Sequence, residues 1–495
     1  MTLKEEHILH KNVHDVNEDT ESLQEGKIKS AMRRGIVEGK KREKRRIYTA
    51  GIGVVAVAAA AFLFTSSSIE LPGMGDPKPS VQTASPINTD HFKAYQASTG
   101  LEPALASALE QNLVQPVGQS AENSGYRIDV TGAVTDGRQV YILYSVQNNT
   151  DKEVIHANFS LQYEGIGESP LHKGARLSML PGDSRIRPGQ TVDFIYASYL
   201  SPETTYPKKV NYNVILTETS DRALASSSNK YRTNLDVAFD LDPDMLKDQE
   251  RTLQTDSTLT VDGQKIKVNQ VQYTPLSTYV DLEIDPNNSK EVFELINPVL
   301  ISKKGETIEK LYYPTSINFY NSEVYKDDSK YTLVYKNSPS GLNNQSDMVS
   351  LKTFGISAVD KDQMKIVYDL NKQELIEAPG TGLEVVPPSS ENNAKEGDLL
   401  LRHYVENENA RTLRYYTSLA DTFTDADGVV YKRVNRTSAL VNFGGITGSR
   451  DGTVEEDISY NFGEKAKDYP QPLTVKLEWF MNPIHETQSV ELYSK

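Results

Sequence analysis

Closely spaced acidic residues near the C-terminal end resemble a metal site. The run Asp421–Val429 reads DTFTDADGV, in which Asp425 and Asp427 precede a glycine as in the opening of a calcium-binding loop. An EF-hand loop needs a bidentate glutamate at its twelfth position, and that position is Arg436 here. We therefore interpret the run as a hairpin turn that follows a strand ending near Thr424.

The remaining candidates for chemistry are weaker. Asp240, Asp242 and Asp244 form a second acidic cluster, which we interpret as a polar junction between domains. The histidines are scattered, and the sequence contains no P-loop, G-x-S-x-G, H-E-x-x-H or G-x-G-x-x-G motif. Zinc–thiolate and thiol chemistry are excluded because the chain has no cysteine. We predict a protein that is not an enzyme and that holds no metal or cofactor; an extracellular enzyme stays open only through unassigned carboxylates.

The composition is that of a large, half-exposed β-protein. The chain has 495 residues, and its 27 tyrosines outnumber its 13 phenylalanines. Its net charge of −15 argues against nucleic acid as the ligand of the large C-terminal part. The absence of cysteine is common in exported proteins of Gram-positive bacteria.

One uncharged apolar segment divides the chain. Residues Ile47–Phe64 read IYTAGIGVVAVAAAAFLF, and about 18 helical residues span about 27 Å, close to the hydrocarbon thickness of a bilayer. We predict a single transmembrane helix over residues 47–69. The segment before it is strongly basic, and by the positive-inside rule the N-terminus is cytoplasmic and the C-terminal region extracellular. The membrane-anchoring basic residues are Lys40, Lys41, Arg42, Lys44, Arg45 and Arg46.

The cytoplasmic head, residues 1–46, combines an acidic, partly disordered start with a basic amphipathic helix. Ile28, Met32 and Ile36 lie on one narrow helical stripe, and cationic side chains including Arg33 and Arg34 occupy the other faces. Such a helix either lies on the anionic inner leaflet or docks on a protein partner. We predict partner binding through these five residues.

The sequence beyond the span predicts repeated β-sandwich modules. A Pro/Ser stalk at 70–90 precedes a helix candidate over His91–Asn112, after which alternating strands begin. A strand–turn–strand pattern starting at Gly125 recurs at Gly263 with the same spacing, and a fainter copy starts at Gly397. We predict a first domain with its leading helix at 91–235, a second at 236–386 and a third at 387–495. Each copy is expected to close with a late strand: Val210–Leu216, Lys365–Leu370 and Thr474–Phe480.

A family resemblance rests on the run Thr99–Thr150. Its matching features are a Gly-Leu…Ala-Leu-Glu helix, a Val-Gln-Pro-Val-Gly-Gln-Ser connector, and an Ile-Asp-Val-x-Gly-x-Val-x-Asp-x-Arg hairpin from Ile128 to Arg138. With the basic head and single span before it, the run resembles the membrane-anchored domain-of-unknown-function family four-one-seven-nine of spore-forming Gram-positive bacteria. In this resemblance, residues 236–380 look like an immunoglobulin-like module. Many such proteins accompany an extracytoplasmic-function sigma factor, which implies an anti-sigma-like role.

The expected fold is therefore mainly β, with a single N-terminal transmembrane helix followed by tandem immunoglobulin-like β-sandwich domains. Two functional hypotheses follow. The first is a single-pass membrane regulator, anti-sigma-factor-like, that couples an extracytoplasmic sensing region to a cytoplasmic sigma factor. The alternative is a structural or binding protein of the cell envelope with a purely anchoring N-terminus, whose extracellular ligand is a wall polymer or another protein. The sequence does not name the signal, the ligand or the oligomeric state.

Overall fold

The computed structural model divides the chain into two compact units, residues 1–79 and residues 80–495. It describes Phe92, Tyr95 and residues 102–166, 172–180, 185–219, 231–318, 329–336, 346–380, 382–387, 397–406, 417–434, 445–450 and 453–495. All of these residues belong to the second unit. Their strands form three modules, each built from antiparallel sheets around a core of its own.

Among its described residues, the first module contains the helix α1 (Pro103–Glu110) and nine strands. The strands are β1 (Gln115–Asn123), β2 (Tyr126–Thr135), β3 (Gln139–Asn148), β4 (Val154–Tyr163), β5 (His172–Leu180), β6 (Arg185–Ile186), β7 (Thr191–Leu200), β8 (Lys209–Glu218) and β9 (Arg232–Asp240). They pair as a five-stranded sheet in the order β1-β2-β3-β7-β5 and a four-stranded sheet in the order β6-β4-β8-β9. Alternate residues of each strand enter a core that both sheets share.

Strand β3 is buried on both faces because α1 covers the outer side of its sheet. Tyr141 and Leu143 pack with Leu105 of α1, whereas their neighbours along the strand face the second sheet. The helix starts at Pro103, a residue that favours the first helical position. Gly132 of β2 permits this packing, since a Cβ there would lie 2.6 Å from the ring of Phe92. The hairpin thus needs glycine at this position.

The second module begins after the connecting segment 241–250. Its strands are β10 (Arg251–Gln254), β11 (Thr258–Val261), β12 (Gln264–Tyr273), β13 (Ser277–Ile284), β14 (Lys290–Leu295), β15 (Val299–Lys304), β16 (Thr307–Leu311), β17 (Thr315–Ile317), β18 (Lys330–Lys336), β19 (Met348–Thr353) and β20 (Ile356–Asp360). One sheet runs β10-β12-β13-β18-β17, with β11 also paired to β12.

The third module follows directly. It contains β21 (Lys365–Asp369), β22 (Glu374–Glu377), β23 (Leu383–Val385), β24 (Asp398–Glu406), β25 (Ser418–Thr424), β26 (Val430–Lys432), β27 (Gly445–Arg450), β28 (Thr453–Asn461) and β29 (Leu473–Trp479). Its sheets run β22-β21-β29-β25-β26 and β23-β24-β28-β27.

The end of the chain returns to the second module. Strands β30 (Pro483–Ile484) and β31 (Gln488–Ser494) complete two sheets there, in the orders β14-β20-β30 and β16-β15-β19-β31. Leu492 of β31 belongs to the second module's core. By strand pairing, the third module is therefore an insertion into the second.

The mainly β fold predicted from the sequence is confirmed. Of the predicted helix His91–Asn112, the described residues form α1 at Pro103–Glu110, and the first hairpin and strands β4, β7 and β8 lie where alternation placed them. The strand Lys365–Leu370 was expected to close the second copy, but β21 pairs with β22 and β29 of the third module. Strand pairing therefore changes modules near Lys365 and again after Trp479, which differs from the boundary predicted at 386/387. Alternation identifies a strand without identifying its partner.

Within the described residues, no helix has the length and apolar content needed to cross a membrane. The apolar segment Ile47–Phe64 lies outside those residues.

Candidate functional site at the first junction between modules

The turn that joins β2 to β3 contacts the second module. This turn, Asp136–Arg138, carries the last two specified positions of the hairpin motif quoted above and meets the turn between β12 and β13. The two hairpins are the ones whose sequences share the same spacing. The two repeated hairpins therefore contact each other through their turns.

Asp136 is fully enclosed at this contact. Its Oδ1 accepts hydrogen bonds from the backbone N–H groups of Arg138 and Gln139, at 3.0 and 2.8 Å. Its Oδ2 accepts hydrogen bonds from the hydroxyls of Thr274 and Tyr279 in the second module, at 2.6 and 2.7 Å. Burial raises the pKa of Asp136, and these four donors counteract part of that rise. One carboxylate therefore both forms the turn and bonds the next module.

Arg138 crosses the junction from the same turn. Its Nη2 and Nη1 donate to the two oxygens of Asp281, at 2.7 and 3.1 Å, in a bidentate pair. The guanidinium also donates to Gln272 Oε1 at 2.7 Å and to Thr332 Oγ1 at 3.2 Å, and it lies 4.7 Å from the centre of the Tyr279 ring. The side chains of Arg138 and Asp281 are only 5% and 14% exposed.

Each charged group of this pair stabilises the ionised form of the other. Burial opposes ionisation of both groups, but the adjacent opposite charge outweighs it, so the pKa of Asp281 is lowered and that of Arg138 is raised. Thr332 and Gln270 also donate hydrogen bonds to Asp281, at 2.6 and 2.7 Å. Both carboxylate oxygens of Asp281 and both Nη atoms of Arg138 are thus hydrogen-bonded by protein groups, whereas the Nε of Arg138 is buried without a hydrogen-bond partner.

The local sequence explains why the turn takes this form. An aspartate whose carboxylate bonds the backbone two and three residues later is a common turn former. Gly137 has a φ of +78°, which a side chain would disfavour, and a Cβ there would lie 3.2 Å from the carbonyl oxygen of Pro243. A short turn with glycine at its centre lets the backbone approach the connecting segment.

The connecting segment is tied to the first module beside this turn. The Nζ of Lys208 lies 2.6 Å from Asp242 Oδ2, and the N–H of Leu241 donates to the carbonyl of Lys208 at 2.7 Å. A cavity of about 350 Å³ lies between the segment and the junction, lined among others by Arg138 and Lys247. The acidic cluster at Asp240–Asp244 is accordingly part of the polar connection between modules.

The second junction, between the second and third modules, is made mainly of apolar groups. Phe293 and Trp479 have ring centroids 5.3 Å apart, and His403 stacks on Phe480 at 4.4 Å. Ile296, Val405 and Met481 form a small buried cluster there. Gly355 has a φ of +149° and no room for a side chain, since a Cβ would lie 2.1 Å from the carbonyl oxygen of Ile484.

The other candidates from the sequence have structural roles or fall outside the described residues. The predicted hairpin is present: β25 pairs with β26, and Asp425 accepts hydrogen bonds from the N–H groups of Asp427 and Val429 and from the Tyr431 hydroxyl. Among the described residues, no three His, Asp or Glu side chains converge as a metal site. The predicted partner-binding and membrane-anchoring residues all lie outside the described part: Ile28, Met32, Arg33, Arg34, Ile36, Lys40, Lys41, Arg42, Lys44, Arg45 and Arg46.

Sequence reasoning missed the partners of Asp136 and Arg138. It assigned both residues to a turn and did not expect that turn to bond another module. The equal spacing of the two hairpins identifies both turns, the one after Thr135 and the one before Ser277, but it does not indicate that they meet. Tyr279 and Asp281, two residues apart on β13, share one face of the strand and so reach the same turn.

The fold and this site define a class: a mainly β protein of several modules, whose first hairpin bonds the second module through buried charges. Residues 41–148 match the model of the family described as Domain of unknown function (DUF4179). The chain therefore carries a domain of this family, and the family resemblance predicted from the sequence is confirmed. The matched residues include the whole motif hairpin with Asp136 and Arg138.

Comparisons beyond the family add little. No curated protein matches the chain. Among solved structures, the chain aligns with the conserved domain protein from Bacillus anthracis at 12% identity and a TM-score of 0.33, over 56% of this chain and 82% of that chain. It also aligns with the secreted serine protease VesC from Vibrio cholerae at 12% identity and a TM-score of 0.15, over 55% of this chain and 54% of that chain. Scores this low carry no argument about fold or function.

Proposed function

We propose that this chain is a single-pass membrane regulator, anti-sigma-factor-like, that couples an extracytoplasmic sensing region to a cytoplasmic sigma factor. In this proposal Ile47–Phe64 spans the membrane, the basic head binds the sigma factor, and tandem immunoglobulin-like β-sandwiches lie outside the cell. The cluster of basic residues at Lys40–Arg46, on the N-terminal side of the apolar segment, supports this orientation.

The observation that carries the proposal is the construction of the first junction. The family match covers the end of the basic segment, the apolar segment and the first hairpin, so these parts form one family unit. Two residues of the matched region, Asp136 and Arg138, bond the next module through six side-chain hydrogen bonds. A displacement of the second module would therefore act directly on the hairpin that packs against α1 and Phe92, the elements that follow the stalk.

The alternative is a structural or binding protein of the cell envelope whose N-terminus only anchors it. A cleft of about 710 Å³ in the first module favours this reading. Edge strands β1 and β9 form two of its walls, and Gln115, Gln119 and Gln162 line it without a hydrogen-bond partner for their side-chain amides in the described part of the chain. Such unused amides are available to a polar ligand.

A co-purification experiment separates the two readings. The full chain, tagged at its C-terminus, is isolated from membranes of its own host, and bound proteins are identified by mass spectrometry. We expect a sigma factor to accompany the wild type and to be lost with Ile28→Asp/Met32→Asp/Ile36→Asp. Leu9→Asp/Val13→Asp/Val16→Asp is the matched control, because it makes the same changes in the acidic stretch and should retain the sigma factor.

The outcome that contradicts the regulator is the absence of any sigma factor from the wild-type preparation. A second variant then tests the alternative: residues 1–30 are replaced with an unrelated polar sequence. An envelope protein that is merely anchored should keep its envelope phenotype, whereas a regulator should lose its control of gene expression.

A further inference from the structure

The outer face of the sheet β16-β15-β19-β31 carries three lysines. Leu300, Leu311 and Leu351 stand in register and enter the core, so the residues that alternate with them point outward. On that outer face, Lys303 pairs with Ile308, Ile301 pairs with Lys310, and Val299 pairs with Lys352. We call Lys303, Lys310, Lys352, Tyr312, Tyr313 and Phe354 the lysine–tyrosine face.

The same face exposes aromatic rings. Tyr312, Tyr313 and Phe354 are 50%, 64% and 40% exposed, and the two tyrosine rings lie 6.0 Å apart. Tyr313 holds its ring outward from a backbone φ of +56°, a conformation that is costly for a bulky side chain. Large rings clustered on a surface mark a binding site more often than single exposed apolar residues do.

The charge of the face opposes that of the chain. None of its three lysines forms an ion pair with a carboxylate of the described residues, and the Nζ of Lys352 lies 4.8 Å from the centre of the Phe354 ring. Glu491 of β31 faces the same side. In a chain of net charge −15, a face with three unpaired cations is suited to an anionic ligand.

We propose that the lysine–tyrosine face binds an anionic glycan, a polymer of sugar rings that carry carboxylate or phosphate groups. The lysines extend over about four residues of strand, roughly 13 Å, so the ligand is elongated. Aromatic rings pack on the apolar C–H faces of sugars, and the ammonium groups between them pair with the anions. A glycan presents rings and anions in alternation, whereas a lipid surface places its apolar part beneath its charges. Binding here does not depend on what the N-terminal head binds.

The test uses the full chain in detergent and immobilised polymers of known composition. The probes are polygalacturonate, which has sugar rings and carboxylates, dextran, which has rings only, and poly-L-glutamate, which has carboxylates only. We expect the wild type to bind polygalacturonate at least about tenfold more tightly than either other polymer. Lys303→Gln/Lys310→Gln/Lys352→Gln should weaken that binding about tenfold or more and flatten its dependence on salt.

Two further variants separate the contribution of the aromatic rings from that of the lysine charges. Tyr312→Ser/Tyr313→Ser should weaken binding while leaving the salt dependence unchanged, because it removes the ring contacts and no charge. Lys432→Gln/Lys465→Gln/Lys476→Gln removes three exposed lysines of the third module and should bind like the wild type. Equal binding of polygalacturonate and poly-L-glutamate would overturn the proposal, as would unchanged affinity in the first lysine variant. Binding to phosphatidylglycerol vesicles but to no polymer would assign the face to a membrane surface instead.

Discussion

At the first junction a single segment, residues 241–250, crosses between modules, whereas at the second junction the chain crosses twice, after β20 and after β29. The first junction is held by Asp136, Arg138 and their hydrogen-bond partners, and by a buried cluster in which Tyr199 of the first module packs with Tyr279, Ile317 and Val334 of the second. The second is held by packed rings and by strands β30 and β31, which belong to sheets of the second module.

The difference concerns what each junction exposes when it opens. Separation of the first exposes the small apolar cluster around Tyr199 and releases a charge pair that water solvates readily, but it breaks no strand pairing, because no sheet of the described residues combines strands of the first and second modules. Separation of the second exposes Trp479 and Phe480 and breaks the pairing of β30 with β20, and apolar burial costs about 25 cal/mol per Å² to undo. We infer that the first junction is the one able to open and close, and that the second is permanent.

The largest expected effect comes from unpairing the first junction. Arg138→Met leaves Asp281 buried without its cation, which should lower the free energy of unfolding by about 3 to 5 kcal/mol. Urea unfolding followed by far-UV circular dichroism measures this loss, and limited proteolysis should show earlier cleavage within residues 241–250. The fluorescence of Trp479, the sole tryptophan, reports the second junction and should change at the wild-type urea concentration.

The matched control for this change is Arg127→Met on the same hairpin. Arg127 also pairs with an aspartate, Asp129, but the two side chains are 44% and 35% exposed, so its loss should cost less than about 1 kcal/mol. Similar losses for the two arginines would show that burial of the first junction contributes nothing. Arg138→Met/Asp281→Leu should recover part of the stability, because no charge is then left unpaired.

An intermediate effect is expected at the second junction. Gly355→Ala places a methyl group against the carbonyl of Ile484 and forces an unfavourable φ, at a combined cost of about 3 kcal/mol. The Trp479 fluorescence transition should move to lower urea concentration. Gly428→Ala is the control, since Gly428 also has a positive φ but has open space around it, and it should cost about 1 kcal/mol. If both variants lose the same amount, the close approach of β30 does not stabilise this junction.

The sequence predicted the elements of both junctions better than their contacts. Alternation located β2, β3, β12 and β13, and the motif drew attention to Asp136 and Arg138. The sequence could not show that the two turns meet. Arg138 and Asp281 are 143 residues apart, and a contact between such distant residues produces no periodic pattern in the sequence. The return of β31 was missed for the same reason: a strand's pattern specifies its buried face and not its neighbour.

The smallest expected effect is a response to acid in the first module, away from both junctions. His156 of β4 is mostly buried, its Nε2 lies 2.8 Å from the hydroxyl of Tyr144, and it packs 5.2 Å from the Phe194 ring. Burial lowers the pKa of His156 to about 4, below its ordinary value of 6.5.

At pH values between these two pKa values, His156 binds a proton in the unfolded chain but not in the folded module. Stability is therefore complete above pH 6.5 and falls as the pH drops towards 4, by about 1 kcal/mol in total once partial solvent access is counted. Urea unfolding by circular dichroism at pH 7, 5.5 and 4.5 measures the decline. His156→Gln should flatten it, while His485→Gln should leave it in place. The urea concentration of the Trp479 fluorescence transition should shift little over the same pH range, because His156 is not among the rings that pack at the second junction. An equal shift of the circular dichroism and Trp479 transitions would mean that acid destabilises the whole molecule and not the first module in particular.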